Sequence, residues 1–144
     1  MGADVSGRLP DWERRLADLL HAARDRPFAV AVHDCGTFAA DAVAAVTGRD
    51  PLAALRARYR AEAGRQDFAG WSAVAVLRGL AATHGWQRLP WRLARRGDLA
   101  LVRGADGAAC AAVVDLSGRS LAAPGQDCLA RFPLDRAAAC WRIG

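Results

Sequence analysis

The sequence contains no lysine and no asparagine, and it has only one isoleucine, one methionine and one tyrosine. All 20 of its basic residues are therefore arginine, in a chain of 144 residues with a formal net charge of +5. Together with abundant alanine, this usage is typical of a GC-rich genome, so coding bias accounts for part of the arginine excess. The arginines are spread along the whole chain and do not form one basic segment, so charge alone does not indicate a nucleic-acid partner.

Long apolar runs and a secretion signal are also missing. No stretch approaches the roughly 20 apolar residues that a membrane-spanning helix needs. The first residues, 1–6, are polar and lack the basic segment and hydrophobic core of a signal peptide. We therefore expect a single soluble domain over residues 1–144, made in the cytoplasm, with no membrane span.

The cysteines and histidines show none of the spacings of a structural metal site. No two cysteines form a Cys-x-x-Cys pair, and no two histidines have a zinc-finger spacing. Without a secretion signal, a disulfide framework is not expected either. We predict free thiols, no metal and no cofactor. The residues concerned are Cys35, Cys110, Cys128 and Cys140, with His21, His33 and His84.

The most informative stretch is His-Asp-Cys-Gly-Thr-Phe at residues 33–38. It follows a short apolar run and opens a predicted helix from Cys35 to Val46 that stops at Gly48. A thiol in the first turn of a helix faces unpaired backbone N–H groups and the positive end of the dipole, which lower its pKa. Cys35 is thus a candidate nucleophile, and a buried cysteine that only packs is the alternative. Asp34 is predicted to cap the helix or to orient a catalytic partner.

The two halves of the chain have different hydrophobic periods. Helical spacing predicts helices near residues 11–26, 35–46, 51–63 and 70–83. Asp50 is the predicted N-cap of the third helix, and Pro51 its first residue. The second half alternates short apolar runs with turns and predicts strands near 98–103, 109–114, 119–123 and 138–143. Helices followed by an antiparallel meander indicate an α+β fold.

The order of these motifs resembles the NlpC-like branch of the papain-like cysteine hydrolases, which are bacterial cell-wall peptidases and amidases. The motif at 34–38 is similar to the Asp-Cys-Ser-Gly-Phe type sequence of that family, and Gly97-Asp98-Leu99 matches its Gly-Asp-Leu strand start. The resemblance implies a papain-like NlpC-type fold, with N-terminal helices packed on a small C-terminal antiparallel sheet. It also implies that the nucleophile lies at a helix start against that sheet.

More narrowly, the whole chain resembles a small NlpC-like family of phages and prophages whose genes often lie among tail genes. This resemblance implies that the partners are other phage tail proteins and peptidoglycan. It places the protein in the virion, or in the bacterial cytoplasm before assembly. The motifs that carry it, in chain order, are Trp12 with Leu16, Pro27-Phe28, His33-Asp34-Cys35, residues 47–51, residues 55–59, Arg96-Gly97-Asp98 and Trp141-Arg142-Ile143.

The resemblance places Cys110 where the family has its catalytic histidine. We therefore expect Cys110 within a few ångströms of Cys35, although a thiol cannot shuttle a proton as imidazole does near neutral pH. His84 and His33 are the candidate substitute bases. For His84, at a helix end, a charge favourable to the helix dipole is the preferred interpretation. His33 is expected instead to face solvent or to cap a loop.

The sequence thus supports two functions and does not decide whether the chain is an enzyme. The first is a degenerate tail component that keeps the fold of peptidoglycan-cleaving cysteine peptidases and amidases without their chemistry. The alternative is an active cell-wall cysteine hydrolase that uses Cys35. A nucleic-acid-binding module, which rests on charge alone, ranks far below both.

Overall fold

A computed structural model describes residues 7–63, 73–104 and 107–144 of the chain. Within these ranges, helices come first and strands second, so the predicted α+β class is confirmed. The helices are α1 (Trp12–Ala23), α2 (Cys35–Thr47), α3 (Arg56–Ala63) and α4 (Ala73–His84). The strands are β1 (Arg88–Leu89), β2 (Leu99–Arg103), β3 (Ala109–Val114), β4 (Ser120–Pro124), β5 (Leu129–Pro133) and β6 (Ala139–Trp141), and 3₁₀ turns lie at Trp91–Leu93 and Leu134–Arg136.

The described strands form one sheet in the order β1-β6-β2-β3-β4-β5, and every neighbouring pair is antiparallel. Strands β2 to β5 follow each other as a meander, of which the sequence predicts the part from β2 to β4. The last strand, β6, returns to the other side of β2 and brings the short β1 into the sheet. The four strands predicted from the sequence are present, whereas the sequence did not predict β1 and β5.

The two faces of the sheet carry separate apolar cores. Helices α1, α2 and α4 cover one face, where Leu16, Phe38 and Val113 are fully buried. The opposite face holds Val102 and Val114 and is covered by the segments around the two 3₁₀ turns. Because side chains alternate along a strand, neighbouring residues of one strand belong to different cores.

Local sequence signals fix both ends of α2. Asp34 and Thr37 form a capping box, in which the Thr37 N–H donates to Asp34 Oδ1 (2.8 Å) and the Asp34 N–H donates to Thr37 Oγ1 (2.9 Å). At the other end, Gly48 takes a left-handed conformation with φ of +79° and donates its N–H to Ala44. The helix predicted from Cys35 to Val46 therefore has the expected start and stop.

The third predicted helix begins later than expected. Residues 51–55 form a turn, and α3 begins only at Arg56. The Asp50 carboxylate accepts the Leu52 N–H (2.9 Å) and also binds the Arg56 guanidinium, which fixes this turn ahead of the helix. The start predicted for the fourth helix, residues 70–72, lies outside the described residues.

A buried carboxylate joins the two ends of the described chain to the sheet. Asp98, which has no exposed surface, accepts hydrogen bonds from Arg8 Nη2 (2.9 Å) and Arg142 Nε (3.0 Å). It also accepts the backbone N–H groups of Arg95 (2.8 Å) and Ile143 (3.1 Å). The start of β2 thus holds the segment before α1 and the segment after β6 in place.

Among the described residues, no helix has the length and apolar character that crossing a membrane would require.

Candidate functional site

Cys35 is the first residue of α2 and lies at the edge of a pocket of about 230 Å³. The thiol is only partly buried, so a ligand in the pocket can reach it. Mostly apolar side chains from four separate parts of the fold form the walls. The lining residues are Phe28, Val30, Asp34, Cys35, Gly36, Leu52, Tyr59, Val76 and Ala109.

Asp34 holds the backbone on both sides of Cys35. Besides capping α2, its carboxylate accepts the Ala31 N–H at Oδ2 (2.8 Å). Ala31 has a φ of +63°, a conformation that is strained for a residue with a Cβ, so this hydrogen bond supports the sharp turn before the helix. Asp34 contacts no histidine in these bonds. Two roles are predicted for Asp34, capping the helix or orienting a catalytic partner. The structure shows the capping role.

Tyr59, the only tyrosine of the chain, also donates its hydroxyl to Asp34 Oδ2. Burial raises the pKa of Tyr59, and the hydrogen bond to Asp34 raises it further, so the phenol stays protonated. Sequence reasoning missed this residue. Its position on α3, 25 residues from Asp34, gives no local signal, and only the packing of α3 beside α2 brings the two side chains together.

The helix start does not make Cys35 a thiolate. Burial raises the pKa of this thiol above its ordinary value, and the negative charge of Asp34 acts in the same direction. The N–H groups of Ala111, Gly36 and Cys35 itself lower the pKa, but burial is the largest effect. The prediction of a lowered pKa was therefore wrong, because the apolar surroundings outweigh the helix dipole.

Cys110 and Cys35 pack on opposite faces of the sheet. Cys110 packs with Ala112 and Val114 on the face of the sheet away from the helices, whereas Cys35 packs on the helix-covered face. From β3, the backbone N–H of Ala111 reaches the Cys35 thiol. Since side chains alternate along β3, the residue that shares the pocket with Cys35 is Ala109, which has no titratable group.

His84 lies at the wrong end of α2 to act on Cys35. Its ring stacks on Trp86 with a centroid separation of 5.5 Å, and it shares a cavity with Val43 and Thr47. His84 is not among the described residues that line the Cys35 pocket. The structure therefore places His84 in a cavity separate from that of the candidate nucleophile.

His33 is buried, contrary to the expectation that it faces solvent or caps a loop. Only 1% of its surface is exposed, and its ring lies edge-on to Phe38 at 5.8 Å. Neither ring nitrogen has a hydrogen-bond partner within the described part of the chain. Burial lowers the pKa of His33 and nearby Arg26 lowers it further, while Asp41 and Asp34 act in the opposite direction.

The lowered pKa of His33 predicts a loss of stability in mild acid. Below the ordinary pKa of 6.5, the unfolded chain takes up a proton that the buried imidazole resists. The contribution of His33 to stability is thus complete above that pH and declines as the pH falls toward the folded-state pKa. We expect the urea midpoint to fall between about pH 7 and pH 5 in the wild type, and to fall less in His33→Leu.

The matched control for this experiment is His21→Gln, since His21 is exposed on α1. This variant should keep the pH dependence of the wild type. Equal slopes for the wild type and His33→Leu would contradict the assignment of the acid sensitivity to His33.

Comparison with known proteins gives a family but no activity. No curated protein matches the chain. A family model described as a domain of unknown function (DUF6950) matches residues 7–143. The match begins before α1 and ends after β6, so it includes the Cys35 pocket and the whole described sheet. The chain therefore belongs to the DUF6950 family.

Proposed function

We propose that this chain is a degenerate NlpC-like protein that serves as a structural component of a phage or prophage tail. The observation that supports the loss of catalysis is the lining of the Cys35 pocket, in which no described residue is a histidine. The tail association is supported by the ordered motifs of the sequence, from Trp12 to Ile143. Its partners are then other tail proteins.

Peptide hydrolysis by a cysteine requires more than a nucleophile. A second group must take the thiol proton and protonate the leaving amine, which contributes roughly a hundred- to ten-thousand-fold to the rate. Among the described residues that line the pocket, the polar side chains beside Cys35 are Asp34 and Tyr59, and they are hydrogen-bonded to each other. Both oxygens of Asp34 also hold backbone N–H groups, so this pair stabilises the start of α2.

An active cell-wall cysteine hydrolase is the second candidate. It is favoured by the partial exposure of Cys35 and by the backbone N–H groups of Cys35, Gly36 and Ala111, which act on the thiol. Backbone N–H groups in such an arrangement can hold the oxyanion of an acyl-transfer reaction. The substrate would be the peptide part of peptidoglycan, and the base would have to come from outside the described lining of the pocket.

A digestion assay separates these two candidates. We expect the purified protein to release no more free amines from peptidoglycan than its Cys35→Ala variant, because burial keeps the thiol protonated and the described pocket lining contains no histidine. Digestion by the wild type that disappears in Cys35→Ala would establish the second candidate and reject the first.

The structural role has its own measurement in the same study. Mass spectrometry of purified tails from the phage that encodes the chain should detect it in a fixed ratio to the other tail proteins. Tails that are complete without the chain would contradict the proposed role, whatever the outcome of the digestion assay.

A further inference from the structure

A second and larger pocket lies where the segment before α1 meets the turn before β2. It has a volume of about 580 Å³ and shares no lining residue with the Cys35 pocket. Four positively charged guanidinium groups line this one pocket. The lining residues are Arg8, Trp12, Arg95, Arg96, Ser117, Gly118, Arg142 and Gly144.

Other groups of the fold hold three of these guanidiniums in fixed positions. The Trp12 ring lies 4.5 Å from the Arg8 guanidinium carbon and 5.6 Å from that of Arg96, so the indole positions both. Arg8 and Arg142 also bind the buried carboxylate of Asp98. A guanidinium held in this way loses little conformational entropy when it binds a ligand.

Two described carboxylate side chains contact these guanidiniums. Asp98 binds two of the four guanidiniums, and Glu13 pairs with Arg96 at 2.9 Å. In the described part of the chain, no carboxylate forms an ion pair with the side chain of Arg95. An anion in the pocket would relieve the remaining repulsion between guanidiniums.

We propose that this pocket binds a small ligand through an oxyanion group, either a phosphate or a carboxylate. Guanidinium groups bind both with paired, charge-assisted hydrogen bonds. The volume falls within the range of small-molecule sites, about 300–1,000 Å³. A concave site of this size favours a small ligand over the extended backbone of a nucleic acid.

Isothermal titration calorimetry with inorganic pyrophosphate and with citrate, at one fixed ionic strength, tests this site. The test variant is the double substitution Arg95→Gln and Arg96→Gln. Both arginine side chains are exposed. The double substitution removes one ion pair, Arg96–Glu13, which lies on the surface, so the variant should still fold. The matched control is Arg136→Gln together with Arg119→Gln, which removes the same charge from positions outside the pocket.

We expect at least one probe to bind the wild type, and the double variant to bind it about tenfold or more weakly, which corresponds to about 1.4 kcal/mol or more. The control should bind within about twofold of the wild type, since only residues that line the pocket contact the ligand. Binding of pyrophosphate alone would assign the site to a phosphate ligand, and binding of citrate alone would assign it to a carboxylate ligand.

Three results would overturn the proposal. The first is that neither probe binds the wild type at about 10 mM, a concentration far above the dissociation constant of a specific site. The second is that the test and control variants bind the probe equally weakly, which would show that only the net charge of the protein matters. The third is tighter binding of a single-stranded oligonucleotide than of either probe, with its loss in the test variant.

Discussion

The Ala109→His substitution is expected to raise the rate at which iodoacetamide alkylates Cys35 by about 10- to 100-fold near neutral pH. Ala109 shares the pocket with Cys35, so an imidazole at this position would face the thiol. A neighbouring protonated histidine lowers a cysteine pKa into the range of about 3.5–7.5. In the wild type, burial holds that pKa above its ordinary value, so little thiolate is present. Mass mapping of the alkylated cysteines measures the rate at each thiol.

Cys110→His is the matched control, because it introduces the same side chain one residue further along β3. Cys110 packs on the face of the sheet away from Cys35, so this variant should alkylate at Cys35 within about twofold of the wild type. Acceleration by Cys110→His, with none by Ala109→His, would show that the strand presents its other face to the thiol. Such a result would restore the alignment that the sequence resemblance implied.

Asp98→Ala is expected to lower the free energy of unfolding by about 3–5 kcal/mol, the usual cost of removing one partner from a buried charge cluster. The substitution removes the carboxylate that Arg8 binds in a site where only 7% of that residue is exposed. It also leaves the Ile143 N–H, a buried donor, without an acceptor. Arg142 is one-quarter exposed and can turn toward water, which places the expected loss at the lower end of the range. Urea unfolding followed by circular dichroism measures it.

The control is Asp18→Ala, which removes an exposed carboxylate that lies 3.7 Å from Arg14 on the surface of α1. This ion pair should contribute less than about 0.5 kcal/mol, because water screens both charges. A loss below about 1 kcal/mol in Asp98→Ala would contradict the view that Asp98 holds the two ends of the described chain to the sheet.

The sequence by itself determined the elements whose signals are local. The limits of α2 follow from Asp34, Thr37 and Gly48, since a capping box and a left-handed glycine involve only residues within a few positions of the helix ends. The strands β2 and β3 follow from apolar runs separated by a turn. In contrast, β1 has two residues and exists because β6 pairs with it, and β5 contains an arginine and ends at Pro133, so neither has a strong pattern of its own.

The protonation states of the site came only from the tertiary structure. The sequence places Cys35 at the start of a helix, and this position favours the thiolate form of its side chain. Residues far away in the chain, among them Leu52 on the turn before α3 and Val76 on α4, enclose the thiol and favour its neutral form. His33 likewise looks like a loop residue in the sequence, and the ring of Phe38 and the surrounding fold bury it.

The face of β3 that meets Cys35 was also decided only by tertiary packing. The sequence Ala-Cys-Ala-Ala-Val-Val at residues 109–114 shows that a strand is present. Because it is apolar throughout, it carries no alternation that distinguishes the helix-covered face from the opposite one. The packing of α2 and α4 on the sheet places Ala109 in the Cys35 pocket and Cys110 on the opposite face. A shift of one residue in the register of β3 would have exchanged the positions of these two side chains.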